Sequence, residues 1–200
     1  MKNKGILLII SGPSGSGKGT AVDEMLRLCK AMPQHYPSLF LSVSATTRSP
    51  RPGETEGKHY FFYSKPQFQD EIVRGNMLEY TEYCDNFYGT PRAPVEKALD
   101  EGRDIILEIE CDGCFQVKEK MPNAISIFVV APSIEELRRR LTGRGTETAE
   151  VIEKRLKKAE FEYTMENRYD YRVVNRTPNQ AAEEILNIIN LEREKRNGNE

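Results

Sequence analysis

The apolar run Ile6 to Ile10 leads directly into Gly12-Pro13-Ser14-Gly15-Ser16-Gly17-Lys18-Gly19-Thr20. That junction restricts the fold, because a buried strand must turn sharply into a helix through backbone conformations that glycine adopts freely. Such a loop directs successive N–H groups inward, the helix after it adds the positive end of its dipole, and Lys18 brings a point charge suited to β- and γ-phosphates. A nucleoside triphosphate is therefore the first ligand to expect, held by Gly12 to Thr20. Where Ser or Thr commonly follows the lysine and offers a hydroxyl to magnesium, this chain has Gly19, with Thr20 one place later.

With 200 residues, of which 38% are hydrophobic, the chain suits one core carrying insertions, able to bury roughly 70% of its unfolded surface. A net charge of −2 from 29 basic and 31 acidic residues argues against holding duplex nucleic acid by bulk neutralisation. The apolar run after Lys2 and Lys4 is too short for a membrane span or a signal peptide, so a cytoplasmic protein with no membrane or nucleic-acid partner is expected. Cys29, Cys84, Cys111 and Cys114 with His35 and His59 make no zinc set, and reduced thiols are expected.

Further along, strand-like runs (Phe40 to Val43, Ile105 to Ile109, Ile125 to Val130, Val173-Val174) alternate with helical patterns. The helical patterns are Lys18 to Ala31, Gly113 to Met121, Ile134 to Leu141 and Asn179 to Leu191. This alternation predicts an α/β fold, a three-layer sandwich with a mostly parallel sheet and ligands at the carboxyl ends of its strands. Two stretches interrupt it. From Ser44 to about Tyr88, β-like pieces (His59 to Tyr63, Leu78 to Tyr83) flank a helix from Pro66 to Arg74. They predict a small mixed insertion with Tyr36, Phe61, Phe62, Tyr63 and Phe68 as its core. From Thr142 to about Glu160, Gly143-Arg144-Gly145 opens a hinge-like turn before a charged helix, Glu150 to Glu166, with little apolar face. That helix is either a solvated face or a flap that carries arginines to the phosphates. The expected division is a core of 1–43, 92–141 and 161–191, an insertion of 44–91, a helical lid of 142–160 and a charged tail of 192–200 that frays.

A second anion site is legible between Ser42 and Glu54. Arg48 and Arg51 stand three apart in a Pro-bounded turn near hydroxyls and Tyr60; guanidinium forks match phosphate oxygens, and the prolines reduce the entropy lost on binding. Two arginines facing water are the alternative. Both sites, with Tyr60-Phe61-Phe62, Leu78-Glu79-Tyr80, Asn86 to Thr90, Leu107 to Glu110 with Gly113, Gly143 to Thr148, and Tyr169-Asp170-Tyr171 before Val173-Val174-Asn175, resemble the guanylate kinases. These are nucleoside monophosphate kinases of the P-loop fold, and the motifs follow the family order from Gly5 to about Ile189.

The resemblance implies transfer of the γ-phosphoryl of ATP to GMP, with Mg2+ accompanying ATP, and it makes 44–91 the GMP-binding insertion. Glu79 matches the position that reads guanine, whose N1–H and N2–H2 both donate; adenine offers an acceptor at N1 and is refused. Ser44, Thr90 and Glu110 match positions near the base. Arg48, Arg51, Tyr60 and Tyr88 match the grip on the GMP phosphate. Lys18, Arg140, Arg144 and Arg155, with Arg51, match the charges around the transferred group, while Arg144 and Asn175 belong to the ATP side. A phosphate nucleophile with its second pKa near ~6 needs no general base, so alignment and charge neutralisation carry the catalysis. With Gly19 in the hydroxyl position, ATP phosphates and water hold Mg2+ with Thr20 or Glu108. Cys111-Asp112-Gly113-Cys114 and Asn175-Arg176 depart from the family pattern, and the cysteines read either as packed small residues or as a redox pair. A binding module without chemistry is countered by Lys18 and the flap arginines, and an AMP kinase by Glu79 with Glu108 and Glu110. The implied partners are ATP and GMP, acting on a monomer or homodimer.

Overall fold

A strand that is buried along its whole length needs cover on both faces, and Leu7–Ser11 (β1) is such a strand. The computed structural model describes residues 4–143 and 148–198. After β1 come α1 (Lys18–Ala31) and β2 (Leu39–Leu41), then β3 (Ala45–Thr46), β4 (Phe61–Phe62), α2 (Lys65–Val73), β5 (Met77–Tyr83) and β6 (Asn86–Pro91). The chain continues through α3 (Arg92–Asp100), β7 (Asp104–Glu108), α4 (Cys111–Lys120), β8 (Ile125–Val130), α5 (Ile134–Thr142) and α6 (Ala149–Tyr163). It finishes with β9 (Tyr171–Val174) and α7 (Pro178–Gly198).

The main sheet runs β2-β7-β1-β8-β9, parallel throughout. Alternate residues of β1 face opposite layers, as the period of two requires. Leu8 and Ile10 pack with Ile127 and Val129 against Met25 of α1 and Ile185 of α7, while Leu7 and Ile9 pack with Phe128 against Val95 of α3 and Val117 of α4. The three-layer sandwich expected from the alternation is what forms.

A second sheet, β4-β3-β6-β5, is mixed. Its core is Phe68 of α2 with Ala45 and Met77, flanked by Phe61, Tyr63 and Phe87. The Phe68 and Phe87 rings stack at 5.4 Å. Tyr36 is not part of it, and packs on the α1 side of the main sheet instead. Two side chains of α4 join this sheet to the core. The Gln116 amide accepts from Tyr80 N at 3.1 Å and donates to Tyr80 O at 3.1 Å, as a neighbouring strand would. Lys120 Nζ donates to the carbonyls of Met77 and Leu78, both at 2.9 Å.

Two expectations change. The charged helix, now α6, does carry an apolar stripe: Ile152, Leu156 and Ala159, at helical spacing, close on Leu137 and Leu141 of α5. The stretch from Glu192, expected to fray, continues α7 to Gly198, because partners hold its last turns. Tyr171 OH donates to Glu192 Oε1 at 2.5 Å, Arg196 donates to the Asn123 carbonyl at 2.9 Å, and Arg193 pairs with Asp104.

Asp104 is buried, and its other oxygen accepts from Ile6 N at 2.8 Å. Asp104→Ala therefore strands a buried N–H and unpairs Arg193. We expect a loss of about 2–3 kcal/mol in urea unfolding, with the slope unchanged, and a smaller loss for Asp104→Asn, which keeps one acceptor. An Asp104→Ala variant with the wild-type midpoint would show that neither contact carries weight.

Candidate active site

The residues of interest gather at the carboxyl edge of the main sheet, where β1 leads into Gly12, β7 ends at Glu108 and β9 leads to Asn175. Gly12 and Gly17 have φ of 143° and 85°, a region that side chains disfavour. They are also crowded: a Cβ on Gly12 would lie 2.1 Å from Val129 O, and one on Gly17 2.4 Å from Asn175 Nδ2. Asn175 Nδ2 donates to the carbonyls of Ser16 and Gly17 at 3.0 and 3.1 Å. Arg140 Nη1 donates to Ser16 O at 3.1 Å, its Nη2 to Asn175 O at 2.8 Å and its Nε to Glu136 Oε1 at 2.8 Å. Because a trans peptide points its C=O and N–H in opposite directions, these bonds turn the N–H groups of Gly17 and Lys18 away from Asn175. Lys18 Nζ donates to Gly12 O at 2.6 Å and Pro13 O at 3.2 Å. Burial pushes its pKa down, opposed by the carboxylates of Glu108, Glu162 and Glu110. Thr20 Oγ1 donates to Gly17 O at 2.8 Å. Ser16 Oγ and Asn175 Oδ1 are buried beside the loop and have no hydrogen-bond partner among the described residues.

Between this edge and the second sheet runs a cleft of ≈ 430 Å³, whose lining includes Ser44, Tyr60, Glu79, Tyr88, Glu108 and Glu110. Glu79 is 5% exposed and accepts from Thr90 Oγ1 at 2.7 Å. Burial pushes its carboxyl up, with Thr90 and Lys120 acting the other way. A Cβ on Gly113 would lie 2.9 Å from Glu79 Oε2, so glycine is what lets the first turn of α4 close on this carboxylate. Tyr60 and Tyr88 meet edge to face at 6.4 Å, and the Arg48 guanidinium lies 5.4 Å from the Tyr60 ring centre.

The arginine turn carries its own anion, which sequence reasoning passed over. Arg48 Nη1 and Nη2 fork onto Glu54 at 3.0 and 2.8 Å, and Glu54 Oε2 also accepts from Arg51 N at 2.7 Å. Arg48 first, then the Arg51 N–H, holds the Glu54 carboxyl down to about 2. The Arg51 side chain is exposed at the turn. The signal for Glu54 was its place directly after Pro52-Gly53, where the chain folds back on itself.

Glu110 caps α4, and its Oε2 accepts from Lys158 Nζ of α6 at 2.6 Å. Arg155, half-buried on the same helix, interacts electrostatically with Tyr83 of the cleft. Arg144 lies outside the described residues. A Cβ on Gly19 would stand 3.3 Å from Glu108 Oε1, so Glu108 occupies the room a larger residue would fill. Burial pushes its carboxyl up, and Lys18 opposes that. Glu108 also lines the cleft, so this one side chain borders both the cleft and the glycine-rich loop. Among the described residues, no three or more His, Cys, Asp or Glu group as a metal set, and no helix is long and apolar enough to cross a membrane. Cys111 and Cys114 are free thiols buried in the first turn of α4. Burial pushes Cys114 up to about 12, in keeping with packing rather than redox chemistry.

Comparisons with known proteins agree on one family. The family model described as guanylate kinase matches residues 4–192. The guanylate kinase of Clostridioides difficile (strain 630) is 48% identical over 192 residues, 96% of this chain and 90% of that one. That of Desulfitobacterium hafniense (strain Y51) is 47% identical over 96% of this chain and 92% of its own length. The crystal structure of guanylate kinase from Anaplasma phagocytophilum superposes with a TM-score of 0.71 at 35% identity, covering 96% of this chain and 88% of that one. With a glycine-rich loop that shares Glu108 with a cleft ending at a buried glutamate, the chain belongs to the guanylate kinase family, whose members transfer the γ-phosphoryl of ATP to GMP.

Proposed function

We propose that the two anion sites are the donor and acceptor halves of one reaction centre. The loop Gly12 to Thr20 takes the ATP phosphates. The cleft takes GMP, with its base against Glu79, Ser44, Thr90 and Glu110 and its phosphate toward Arg51, Arg48, Tyr60 and Tyr88. The observation that carries this reading is Glu108, which stands against Gly19 at the loop and also forms a wall of the cleft. The insertion 44–91 thus serves the acceptor, and the segment 142–160 is a lid bringing Arg144 and Arg155 to the transferred group. The enzyme is cytoplasmic and works as a monomer or homodimer in purine nucleotide supply.

In this reading an oxygen of the GMP phosphate attacks the γ-phosphorus, the bond to the β-phosphate oxygen breaks, and ADP leaves. Lys18 and the arginines spread over this centre offset the charge of the equatorial oxygens, an effect worth roughly 10³–10⁵ in rate for a single well-placed arginine. Arg140 acts here by holding Ser16 and Asn175 in place. Glu108, whose carboxylate stands against Gly19, and Thr20 would hold the Mg2+ that accompanies ATP, which would supply charge neutralisation between the phosphates.

Glu79→Gln is expected to lower kcat/KM for GMP by about 1–3 kcal/mol and leave the KM for ATP unchanged, read in a coupled assay of ADP release with GMP, AMP and UMP as acceptors. Unaltered GMP use would mean that the base is read elsewhere. Because burial raises the Glu79 pKa, the accepting carboxylate is lost at a higher pH than an ordinary glutamate, near ~4.3. The KM for GMP should therefore rise as the pH falls from neutrality, beyond what titration of the GMP phosphate near ~6 explains, and that excess should vanish in Glu79→Gln. Asn175→Ala, which frees two loop carbonyls, should raise the KM for ATP several-fold with little change for GMP. An equal rise for both substrates would speak against a role confined to the loop.

A further inference from the structure

Near the end of α6, Glu162 is only 5% exposed, in surroundings where an ionised group is costly unless it is paired and hydrogen-bonded. Its ion-pair partner among the described residues is Lys158, whose Nζ lies 3.7 Å from Oε1, beyond hydrogen-bond length, and closer to Glu110 Oε2 at 2.6 Å. Burial pushes the Glu162 carboxyl up; Lys158 opposes that, Glu110 adds to it, Lys18 opposes it and Asp112 adds again. On balance the charge disfavours folding. A structural link between α6 and the core therefore explains this acid poorly.

The position of Glu162 is fixed relative to the glycine-rich loop. Tyr163, next in sequence, meets the Phe128 ring edge to face at 6.1 Å, and Phe128 pairs across the sheet with Ser11, the residue before Gly12. Further back along the helix, Ile152, Leu156 and Ala159 close on Leu137 and Leu141 of α5. These two leucines also touch the loop: a Cβ on Gly15 would stand 3.1 Å from Leu137 Cδ1 and 2.8 Å from Leu141 Cδ2. Helix α6 is thus tied to the loop twice, through Phe128 and through α5, and Glu162 lies one turn beyond Ala159. Lys18 is the loop residue that registers its charge. Burial pushes the Lys18 ammonium down, and the carboxylates opposing this are Glu108 from β7, then Glu162, then Glu110. Lys18 Nζ donates to Gly12 O and Pro13 O. An ammonium has three N–H donors, so one remains for a ligand.

We propose that Glu162 is a positioning residue for Lys18, its carboxylate acting with Glu108 to hold the ammonium in the orientation that leaves the third N–H for the triphosphate. This rests on the reading of Gly12 to Thr20 as the ATP site. Lys158, set between Glu110 and Glu162, limits the negative charge gathered there. An acid kept in place at a cost in stability is what a functional role predicts.

The test measures binding of the non-hydrolysable ATP analogue AMP-PNP, and urea unfolding, in wild type, Glu162→Gln, Lys18→Met and the double variant. Glu162→Gln should bind the analogue roughly three- to tenfold more weakly. It should unfold at the wild-type midpoint or above it, since a neutral amide removes the charge that burial disfavours. In the Lys18→Met background the same exchange should cost no affinity. Equal weakening in both backgrounds, or a lower urea midpoint in Glu162→Gln, would make Glu162 a structural residue, and unchanged affinity in the single variant would remove it from the loop altogether. Any of these overturns the proposal. A wild-type protein with no affinity for the analogue would instead overturn the reading of the loop as the ATP site, and the proposal with it.

Discussion

The glycine-rich loop, the proposed donor site, depends on which way a few peptide planes face. For N–H groups to line a phosphate cradle, the carbonyls of the same peptides must point outward, and buried carbonyls need partners. Here Asn175 takes those of Ser16 and Gly17, and Arg140 takes a second bond to Ser16 while gripping the backbone of Asn175. Arg140 is itself steered by Glu136, whose carboxyl Arg139 and Arg140 hold down to about 2. The glycines permit the loop, and the exit of β9 together with α5 selects its shape. A local motif is thus completed by residues more than a hundred positions away in the chain.

The side proposed to take the acceptor is organised by separation of charge. Near α4 the cleft is acidic, while Tyr60, which also lines it, carries the Arg48 guanidinium over its ring and meets Tyr88 edge to face. Glu54 is part of this arrangement, and its forked pairing with Arg48 fixes that side chain over the Tyr60 ring. The Gln116 and Lys120 side chains fasten β5 to α4, so the strand carrying Glu79 keeps its register against the helix whose first turn closes on it.

The elements that sequence reasoning recovered are those whose signal is local. The helix α1 has the expected bounds because Gly17, in left-handed backbone, begins it and Met32 ends it; β8 matches because six successive residues are apolar or small and all are buried. The strands β3 and β6 were missed for opposite reasons. The first is two residues long. The second follows a tight turn at Cys84 and Asp85, with φ of 48° and 59°, that lacks the Asn-Gly or Asp-Gly pair marking such hairpins. The stripe on α6 was hidden because one of its three contact residues is alanine. In the site, Lys18 stood out by motif and Glu79 by the family resemblance, whereas Glu54, Gln116 and Lys158 are polar residues whose meaning arises from neighbours that only tertiary folding supplies.

The packing of α7 on α1 has a consequence for how the chain is made. The strand β1 and its helix leave the ribosome early, yet β1 lies between β7 and β8 and the apolar face of α1 is covered by Ala181, Ala182, Ile185 and Ile189. The strand that leads into the glycine-rich loop therefore gains its neighbours and its cover only when segments from Asp104 onward have joined it, which makes the contacts around it non-local.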